Sequence, residues 1–253
     1  MRQDDRVPFV EALQRAREAA YDPGEYVEQE SFMRAGEIRM LAERAGIAAG
    51  VSVLDLCCGV AGPGRFITRQ LGCTYLGIDS SVSAVGIARA RTRGMPCRFE
   101  VGEVPPLPHG PFEVVLLLET MLAFPDKAAL VQDVARALSP GGRFAFTLEE
   151  GGPLTELERT QMPDADTVWL APLDEVHELL AWNGFAVRWH DDWSRSHAET
   201  AASLTAAFAA DESAIASRIG RMAFYELLAA HRLWSEWLAS GRVRKLAFVV
   251  ERP

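Results

Sequence analysis

The feature that most constrains this chain is the alternation of short apolar segments with longer amphipathic ones over its first 150 residues. Apolar runs at 51–56, 74–78, 97–101, 112–118 and 143–148 predict five strands, and helical spacing occupies most of the intervals between them. Such an alternation is typical of a parallel sheet with helices on both faces. The run 112–118 is almost purely apolar, as expected for a strand buried on both sides.

Helical and strand patterns continue on both sides of this region. Ahead of the first strand, 9–20 and 31–45 carry the spacing of helices. After the fifth strand, a helix is predicted at 173–182 and two strands at 185–189 and 246–250. A long alanine-rich helical stretch lies between these last two strands, and it forms either additional core or a cover over the ligand edge of the sheet.

Composition bounds the class of protein. The chain has 253 residues, of which 49% are hydrophobic and 24% charged, a balance typical of globular proteins. A formal net charge of −9 disfavours nucleic acid as a partner. No apolar run approaches the ~18 residues that a membrane helix needs, and the charged N-terminus is unlike a signal peptide. We therefore expect a cytoplasmic protein with neither a membrane nor a nucleic-acid partner.

The cysteines and histidines do not form a metal-binding pattern. Cys57 and Cys58 are adjacent, the four cysteines contain no CxxC, and the five histidines contain neither HxxxH nor HExxH. No metal site is predicted. Two basic clusters, 218–221 and 242–245, are interpreted as solvated helix faces and strand edges.

The glycine-rich segment after the first predicted strand marks the ligand edge of the sheet. Open parallel sheets bind ligands beyond the carboxyl ends of their strands, and glycine lets the backbone approach the ligand closely. The dinucleotide pattern G-x-G-x-x-G fails here, because Ala61 stands where a second glycine would follow Gly59. Asp55 would repel a diphosphate, but it suits a ligand that carries an ammonium group or hydroxyls.

Acidic residues follow the next two predicted strands. The carboxylate of Asp79 has two oxygens that can accept hydrogen bonds from both hydroxyls of a ribose, although such a residue is also a common helix cap. Because Asp79 lies twenty positions after Gly59 on the neighbouring strand, the ribose interpretation is favoured. Glu103 follows the third strand, where it either accepts from an adenine amino group or is a solvated loop residue.

Five segments between about 50 and 150 together resemble a class I S-adenosylmethionine-dependent methyltransferase. The family usually has D-x-G-x-G-x-G in the first segment, whereas this chain has Cys57 and Ala61 at the outer glycine positions. Glu103 and Glu113 stand where the family often has aspartate. The five segments are Val53-Leu-Asp-Leu-Cys-Cys-Gly-Val-Ala, Leu76-Gly-Ile-Asp-Ser, Gly102-Glu-Val, Phe112-Glu-Val-Val and Leu138-Ser-Pro-Gly-Gly-Arg-Phe.

This resemblance implies an α/β fold with a Rossmann-like, seven-stranded, mostly parallel sheet and helices on both faces. It also implies an N-terminal helical lid and a helical insertion before the last strand. The chain 1–253 is then a single methyltransferase domain, in which 1–48 form the lid, 49–150 the cofactor-binding core and 151–253 the substrate-side half. The helical insertion occupies about 198–239.

The resemblance also implies where S-adenosylmethionine is held. Asp55 and the following loop are expected at its methionine end, Asp79 at the ribose, Glu103 at the adenine and Glu119 near the sulfonium. Tyr26 either faces the sulfonium or packs the lid onto the sheet. The full set assigned to the cofactor is Tyr26, Gln29, Asp55, Cys57, Gly59, Ala61, Asp79, Ser80, Glu103, Val104, Leu118 and Glu119.

Methyl transfer requires alignment of the acceptor, and it requires a general base only if the acceptor arrives protonated. Glu149, just past the fifth strand, and His231, in the insertion, are the catalytic candidates, although each could be structural. The segment Leu118-Glu-Thr-Met-Leu lacks the Asn/Asp-Pro-Pro-Tyr-like motif of enzymes that methylate nucleic-acid amino groups.

The aromatic, mostly apolar insertion favours a small-molecule acceptor, such as a metabolite or an intermediate of secondary metabolism. The expected function is therefore methyl transfer to such a molecule by direct displacement, on oxygen, nitrogen or carbon. Three alternatives stay open: a regulatory protein that binds the cofactor without methylating, a cyclase of the same fold, and a nicotinamide oxidoreductase. A homodimer is also left open.

Overall fold

Seven strands form one sheet in the computed structural model, which describes residues 11–253. They are β1 (Ser52–Leu56), β2 (Thr74–Asp79), β3 (Cys97–Val101), β4 (Phe112–Leu117), β5 (Leu138–Glu150), β6 (Ala186–Asp192) and β7 (Arg244–Glu251). Their spatial order is β3-β2-β1-β4-β5-β7-β6. Strands β1 to β5 run parallel, and β7 is antiparallel to both β5 and β6. The predicted seven-stranded, mostly parallel sheet is confirmed.

Ten α-helices accompany the sheet within residues 11–253. They are α1 (Glu11–Ala20), α2 (Ala35–Arg44), α3 (Gly62–Leu71), α4 (Val82–Arg91), α5 (Lys127–Ala137), α6 (Glu156–Gln161), α7 (Leu173–Trp182), α8 (Ser194–Ala210), α9 (Glu212–Ile219) and α10 (Arg221–Ser240). No helix of this range is both long enough and apolar enough to cross a membrane.

Helices cover both faces of the sheet. Alternate residues of β1 point to opposite faces, as the pleat of a strand requires. Leu54 and Leu56 belong to the apolar cluster that contains α5 and α7, whereas Val53 belongs to the cluster that contains α2, α3 and α4. The sheet is therefore buried on both sides, as its apolar strands predict.

Local signals explain where several helices begin and end. Ser81 and Asp126 cap α4 and α5, because their side chains accept hydrogen bonds from the backbone N–H groups of Ala84 and Ala129. Helix α3 has a proline in its first turn and ends at Gly72, which adopts a left-handed conformation.

Helices α8, α9 and α10 form the predicted insertion between β6 and β7. They pack with α1 around buried apolar side chains that include Leu13, Phe208 and Phe224. We call these four helices the cover. The insertion begins at Ser194 and ends at Ser240, slightly outside the predicted range 198–239. Residues 9 and 10 of the first predicted helix, and the start of the predicted lid 1–48, lie outside the described residues.

The predicted strands 185–189 and 246–250 are instead Ala186–Asp192 and Arg244–Glu251. Two further predicted boundaries are wrong because backbone groups bond to side chains or to distant segments. The predicted helix 31–45 begins only at Ala35, since the amide of Gln29 bonds the carbonyl of Met33 and keeps the preceding segment looped. The predicted fifth strand, 143–148, extends back to Leu138, because the backbone pairs with Arg252 replace the expected turn. The short helix α6 was not predicted.

A loop of residues 25–34, which we call the strap, crosses the beginning of α3. A Cβ atom on Gly62 would lie 2.4 Å from the carbonyl oxygen of Glu28 and 2.5 Å from that of Val27. Only glycine therefore lets the strap approach α3 this closely. The carboxylate of Glu28 fixes the contact further, since it binds Arg65 at 2.8 Å and also contacts Arg91.

Gly62→Ala should destabilise the protein by about 1–3 kcal/mol, because the new methyl group must displace the backbone of the strap. The measurement is the free energy of unfolding in urea. Gly86→Ala is the matched control: Gly86 lies in α4, and its Cβ would meet no atom within 4 Å. The control should be stabilised by about 0.5–1 kcal/mol from helix propensity alone. Equal effects of the two substitutions would contradict the proposed contact.

Candidate active site

The loop after β1 adopts left-handed backbone at three positions: φ is 59° at Cys57, 54° at Gly59 and 59° at Ala61. Glycine adopts this conformation readily, whereas placing any other residue in it destabilises the folded protein by about 1 kcal/mol or more. Cys57 and Ala61 occupy positions at which the methyltransferase family that the sequence resembles usually has glycine. The loop therefore adopts left-handed backbone at two non-glycine positions, at a cost in strain.

Backbone strain is concentrated around one cavity. Among residues 11–253, five non-glycine residues have positive φ, and three of them, Glu28, Cys57 and Glu119, line the same space. Strained residues cluster at ligand-binding sites, where the surrounding structure holds them in place.

Two adjoining cavities lie beyond the carboxyl ends of β1, β2, β3 and β4, and we call them together the sheet-edge cleft. The inner cavity, of about 180 Å³, is lined by Asp55, Cys57, Gly59, Leu118 and Glu119, together with the strap. The outer cavity, of about 450 Å³, shares Cys57 and Asp79 with the inner one. Its further lining includes Ser80, Glu103 and Val104. Ten residues predicted at the cofactor therefore line one cleft.

Asp79 is buried at the end of β2 and joins two loops. Its Oδ2 atom accepts a hydrogen bond from the backbone N–H of Gly59 at 2.9 Å, and its Oδ1 atom accepts one from Ser81 at 2.8 Å. A carboxylate oxygen has two lone pairs and can accept more than one hydrogen bond. Asp79 thus shapes the β1 loop and presents acceptors to the cleft.

Asp55 is buried beside Asp79 and receives a hydrogen bond from the hydroxyl of Tyr75. Gly64 leaves room for that tyrosine, since a Cβ atom there would lie 2.1 Å from its hydroxyl oxygen. The pKa of Asp55 is raised to about 7, chiefly because the carboxyl group is buried. The negative charge of Asp79 raises this pKa further, whereas the hydrogen bond from Tyr75 lowers it. A cationic ligand would favour the ionised form.

Three predicted cofactor residues have structural contacts of their own. The hydroxyl of Tyr26 donates to the side chain of Gln14, and its ring lies 5.5 Å from that of Tyr21, so the structure does not bring Tyr26 into the cleft lining. Gln29 lines the inner cavity, but its amide bonds three backbone groups of the strap. Ala61 is fully buried beneath the loop.

A third cavity, of about 280 Å³, lies between the sheet-edge cleft and the cover, and we call it the covered cavity. It shares Glu30, Ser31 and Glu119 with the inner cavity, so the two spaces adjoin. Its apolar lining includes Phe32, Leu122, Met162, Val168, Leu204, Trp234 and Leu238. Both predicted catalytic residues, Glu149 and His231, also line it.

Buried charges form the floor of the covered cavity. The register of the antiparallel pair places Lys245 of β7 opposite Glu149 of β5. The ammonium of Lys245 contacts a carboxylate oxygen of Glu149 and lies 2.6 Å from that of Glu119. Burial lowers the pKa of Lys245, but the two carboxylates outweigh it and the net direction is upward. For Glu119, burial raises the pKa, but the positive charge of Lys245 outweighs burial and the net direction is downward.

His197 extends this group of charges beneath the cavity. Its buried ring lies between two carboxylates, 3.3 Å from an oxygen of Glu37 and 3.7 Å from one of Glu119. Burial raises the pKa of Glu37, but its contacts with His197 and Ser196 outweigh this and lower the pKa. We call Glu37, Glu119, Glu149, His197 and Lys245 the buried charge cluster.

His231 lies on α10 with its ring against Phe32 and Phe208, in edge-to-face contacts of 5.5 Å and 5.1 Å. Its Nδ1 atom is 2.8 Å from the carbonyl oxygen of Leu227. Because a carbonyl only accepts, Nδ1 carries the proton and Nε2 keeps a lone pair. Burial lowers the pKa of His231 to about 4, so the ring is neutral near pH 7.

Comparisons with known proteins identify the core of this arrangement. Residues 53–142 match the family model described as a methyltransferase domain. Residues 53–142 therefore form a methyltransferase domain. This confirms the family that the sequence resembles.

Relatives of the methyltransferase domain align over only part of their length. Methyltransferase GfsG of Streptomyces halstedii is 35% identical over 112 residues, which cover 42% of this chain and 40% of the relative. A probable chloroplastic tocopherol O-methyltransferase of Oryza sativa is 32% identical, over 57% of this chain and 43% of the relative. The chain thus spans less than half the length of these curated relatives.

Solved structures share the fold over nearly the whole chain. The cyclopropane synthase MmaA2 of Mycobacterium tuberculosis superposes with a TM-score of 0.83 over 98% of this chain and 97% of that one, at 14% identity. The [4+2]-cyclase SpnF gives 0.75 over 96% and 91%, at 21% identity. At these identities the likeness shows the fold, and its extent means that the fold includes the cover as well as the sheet.

Sequence reasoning predicted Glu119 and Glu149 but missed the other members of the buried charge cluster, Lys245, His197 and Glu37. Lys245 was assigned to a solvated basic cluster, 242–245, and this is wrong for the lysine, which is 2% exposed. Arg242 and Arg244 do lie at the surface, where they pair with Glu158 and Glu150. One available signal was the position of Lys245 directly before the uninterrupted apolar run of the last strand.

His197 and Glu37 gave no sequence signal, because they are 160 positions apart and meet only through packing. In the described part of the chain, no group of three or more histidine, cysteine, aspartate or glutamate side chains is arranged to hold a metal ion.

Asp55→Asn should become more stable relative to the wild type as the pH rises from about 5 to 8. The folded protein holds the Asp55 proton up to a pKa of about 7, whereas the unfolded chain releases it near 3.8. Wild-type stability therefore falls by up to about 1.4 kcal/mol per pH unit in this interval, and asparagine removes that loss. Urea unfolding at several pH values measures the difference.

Tyr75→Phe provides the companion variant. Because the hydrogen bond from Tyr75 lowers the pKa of Asp55, its removal should shift the pH dependence to higher pH. A stability difference between Asp55→Asn and wild type that does not change with pH would refute the assignment.

Proposed function

We propose that this chain transfers the methyl group of S-adenosylmethionine to a small molecule by direct displacement. The observation that carries the proposal is the junction at Glu119, where the sheet-edge cleft adjoins the covered cavity. A donor at the sheet edge would there meet an acceptor that the cover shields from water. Alignment and exclusion of water are the chief requirements of such a displacement.

The chemistry of the cleft fits the cofactor. Asp79 would accept hydrogen bonds from the ribose hydroxyls, while Glu103 and Val104 would flank the adenine in the outer cavity. Asp55 and the left-handed β1 loop would hold the methionine end, where an ammonium group would compensate two neighbouring carboxylates. When bound, S-adenosylmethionine supplies a methyl group on a sulfonium, which is a good leaving group.

The residues of the covered cavity would orient the acceptor and remove its proton. Glu119 lies at the junction and is held by Lys245 and Thr147. His231 is neutral and keeps the Nε2 lone pair, so it can accept a hydrogen bond from a hydroxyl or amine group of the acceptor. Glu149 lines the same cavity, and both residues stay candidates for the general base.

The size and polarity of the covered cavity favour a small acceptor. About 280 Å³ lined mainly by apolar side chains suits a metabolite or a natural-product intermediate. The net charge of −9 disfavours nucleic acid. We further propose that 1–253 act as one domain in the cytoplasm.

Asp79→Asn should weaken the binding of S-adenosylhomocysteine by about 1–3 kcal/mol, since one charged acceptor is lost at the ribose position. Isothermal titration calorimetry measures the dissociation constant. Glu100→Gln is the control, because this exposed carboxylate of β3 lines neither cavity of the sheet-edge cleft. An unchanged dissociation constant for Asp79→Asn would mean that the ribose lies elsewhere.

Methyl transfer should be detected when the protein is incubated with methyl-labelled S-adenosylmethionine and a fractionated extract of small molecules. The expected product carries the label and is heavier than its precursor by one CH₂ unit. Mass spectrometry of the small-molecule fraction provides the readout, with heat-inactivated protein as control. Tight cofactor binding without any labelled product would favour the non-methylating alternative, and a product equal in mass to its precursor would favour a cyclase.

A further inference from the structure

The buried charge cluster carries an excess of negative charge. It contains three carboxylates, of which those of Glu119 and Glu149 contact the ammonium of Lys245, whereas that of Glu37 lies beside His197. His197 adds at most one positive charge, so these five residues together are negative whichever form its ring takes. The charge of Lys127 also acts on Glu149, but Lys127 forms no ion pair with it and does not line the covered cavity. Net charge is costly in a dry interior, where little solvent is present to compensate it. A cationic group that enters the covered cavity would therefore be favoured.

One carboxylate oxygen of the cluster, Oε2 of Glu149, is buried without a hydrogen-bond donor among the described residues. Lys245 contacts the other oxygen, Oε1. The side chain of Glu149 is 8% exposed and lines the covered cavity. A buried carboxylate oxygen without a donor is costly, and a ligand donor at this position would remove that cost.

Anionic ligand groups find no comparable partner. Among the described residues that line the covered cavity, the cationic side chains other than histidine are Arg17 and Lys245. Arg17 binds Glu30 at 2.9 Å, and Lys245 contacts Glu119 and Glu149. A phosphate or carboxylate would therefore have to share one of these cations with a carboxylate that is already bound to it. The cavity therefore discriminates against anions by charge repulsion.

We propose that Glu149 determines acceptor specificity by binding, through Oε2, the protonated nitrogen of an amine-bearing acceptor. Phe32 and Trp234 line the same cavity, and aromatic rings pack well against both an apolar body and a cationic nitrogen. An alcohol could also donate a hydrogen bond to Oε2 of Glu149, but it carries no positive charge to compensate the negative charge of the cluster. This inference deepens the proposed function, on which it rests for the identity of the covered cavity as the acceptor site.

The test compares probes of one shape with different end groups: 3-phenylpropylamine, 3-phenylpropan-1-ol and 3-phenylpropionate, with benzylamine and benzyl alcohol as a shorter pair. Binding is measured by calorimetry on the full chain with saturating S-adenosylhomocysteine. For at least one pair, the amine should bind about tenfold more tightly than the alcohol, because a charged hydrogen bond is stronger than a neutral one. The carboxylate should bind more weakly than either.

Two neighbouring residues supply the variants. Glu149→Gln should reduce the amine-to-alcohol preference to less than about threefold, since only a neutral acceptor remains. Glu150→Gln is the matched control, because Glu150 follows on the same strand, pairs with Arg244 and lines no part of the covered cavity. It should keep the wild-type preference. An unchanged affinity of Glu149→Gln for S-adenosylhomocysteine shows that the variant is folded.

The proposal is wrong if neither amine binds better than its alcohol, or if Glu149→Gln keeps the full preference. These results do not depend on methyl transfer, because no methyl donor is present in the assay. An amine preference that depends on Glu149, in a protein that methylates nothing, would support this inference and overturn the proposed function. Methylation of alcohols by a protein that shows no amine preference would support the proposed function and overturn this inference.

Discussion

The contact of buried Lys245 with two glutamates connects three strands at the place where the cavities meet. Lys245 lies on β7, Glu149 on β5, and Glu119 two residues after the end of β4. A buried ammonium or carboxylate alone would be unfavourable by several kcal/mol, so each of these residues depends on the others. The antiparallel register of β5 and β7 makes this mutual compensation possible.

At the sheet edge, too, a buried carboxylate and strained backbone are stabilised by the residues around them. Asp55 is buried beside another carboxylate, and the Tyr75 hydroxyl that supports it fits only because Gly64 has no side chain. Cys57 and Glu119 keep strained backbone on either side of the inner cavity. Strain and buried charge thus occur together where β1 and β4 end, at the point where the order of the parallel strands reverses.

The cover determines what the sheet edge can do. Proteins named as a cyclopropane synthase and as a [4+2]-cyclase share this architecture, so the sheet alone does not determine the reaction. In this chain, α1 and α8 to α10 enclose a cavity whose walls are apolar and whose floor is charged. The combination of dry walls and a negatively charged floor is the property from which acceptor selection is inferred.

The sequence by itself determined the alternating fold, the loop after β1, the acidic residues at the strand ends and the family, because each depends on residues close together in the chain. Apolar periodicity and turn residues are local signals, and parallel strands bring their carboxyl ends to one edge whatever the details of packing. The order of residues along the chain is therefore sufficient to predict that Asp55, Asp79 and Glu119 lie together at that edge.

Only the tertiary structure decided the contacts between distant segments. Lys245 reads as one residue of a solvated cluster until the pairing of β7 with β5 buries it, and His197 meets Glu37 only when the cover packs onto the sheet. Tyr26 resembles a cleft residue in sequence, yet its hydroxyl is bound by Gln14 of α1. Such contacts leave no periodic pattern in the chain, because burial and pairing depend on which elements pack together.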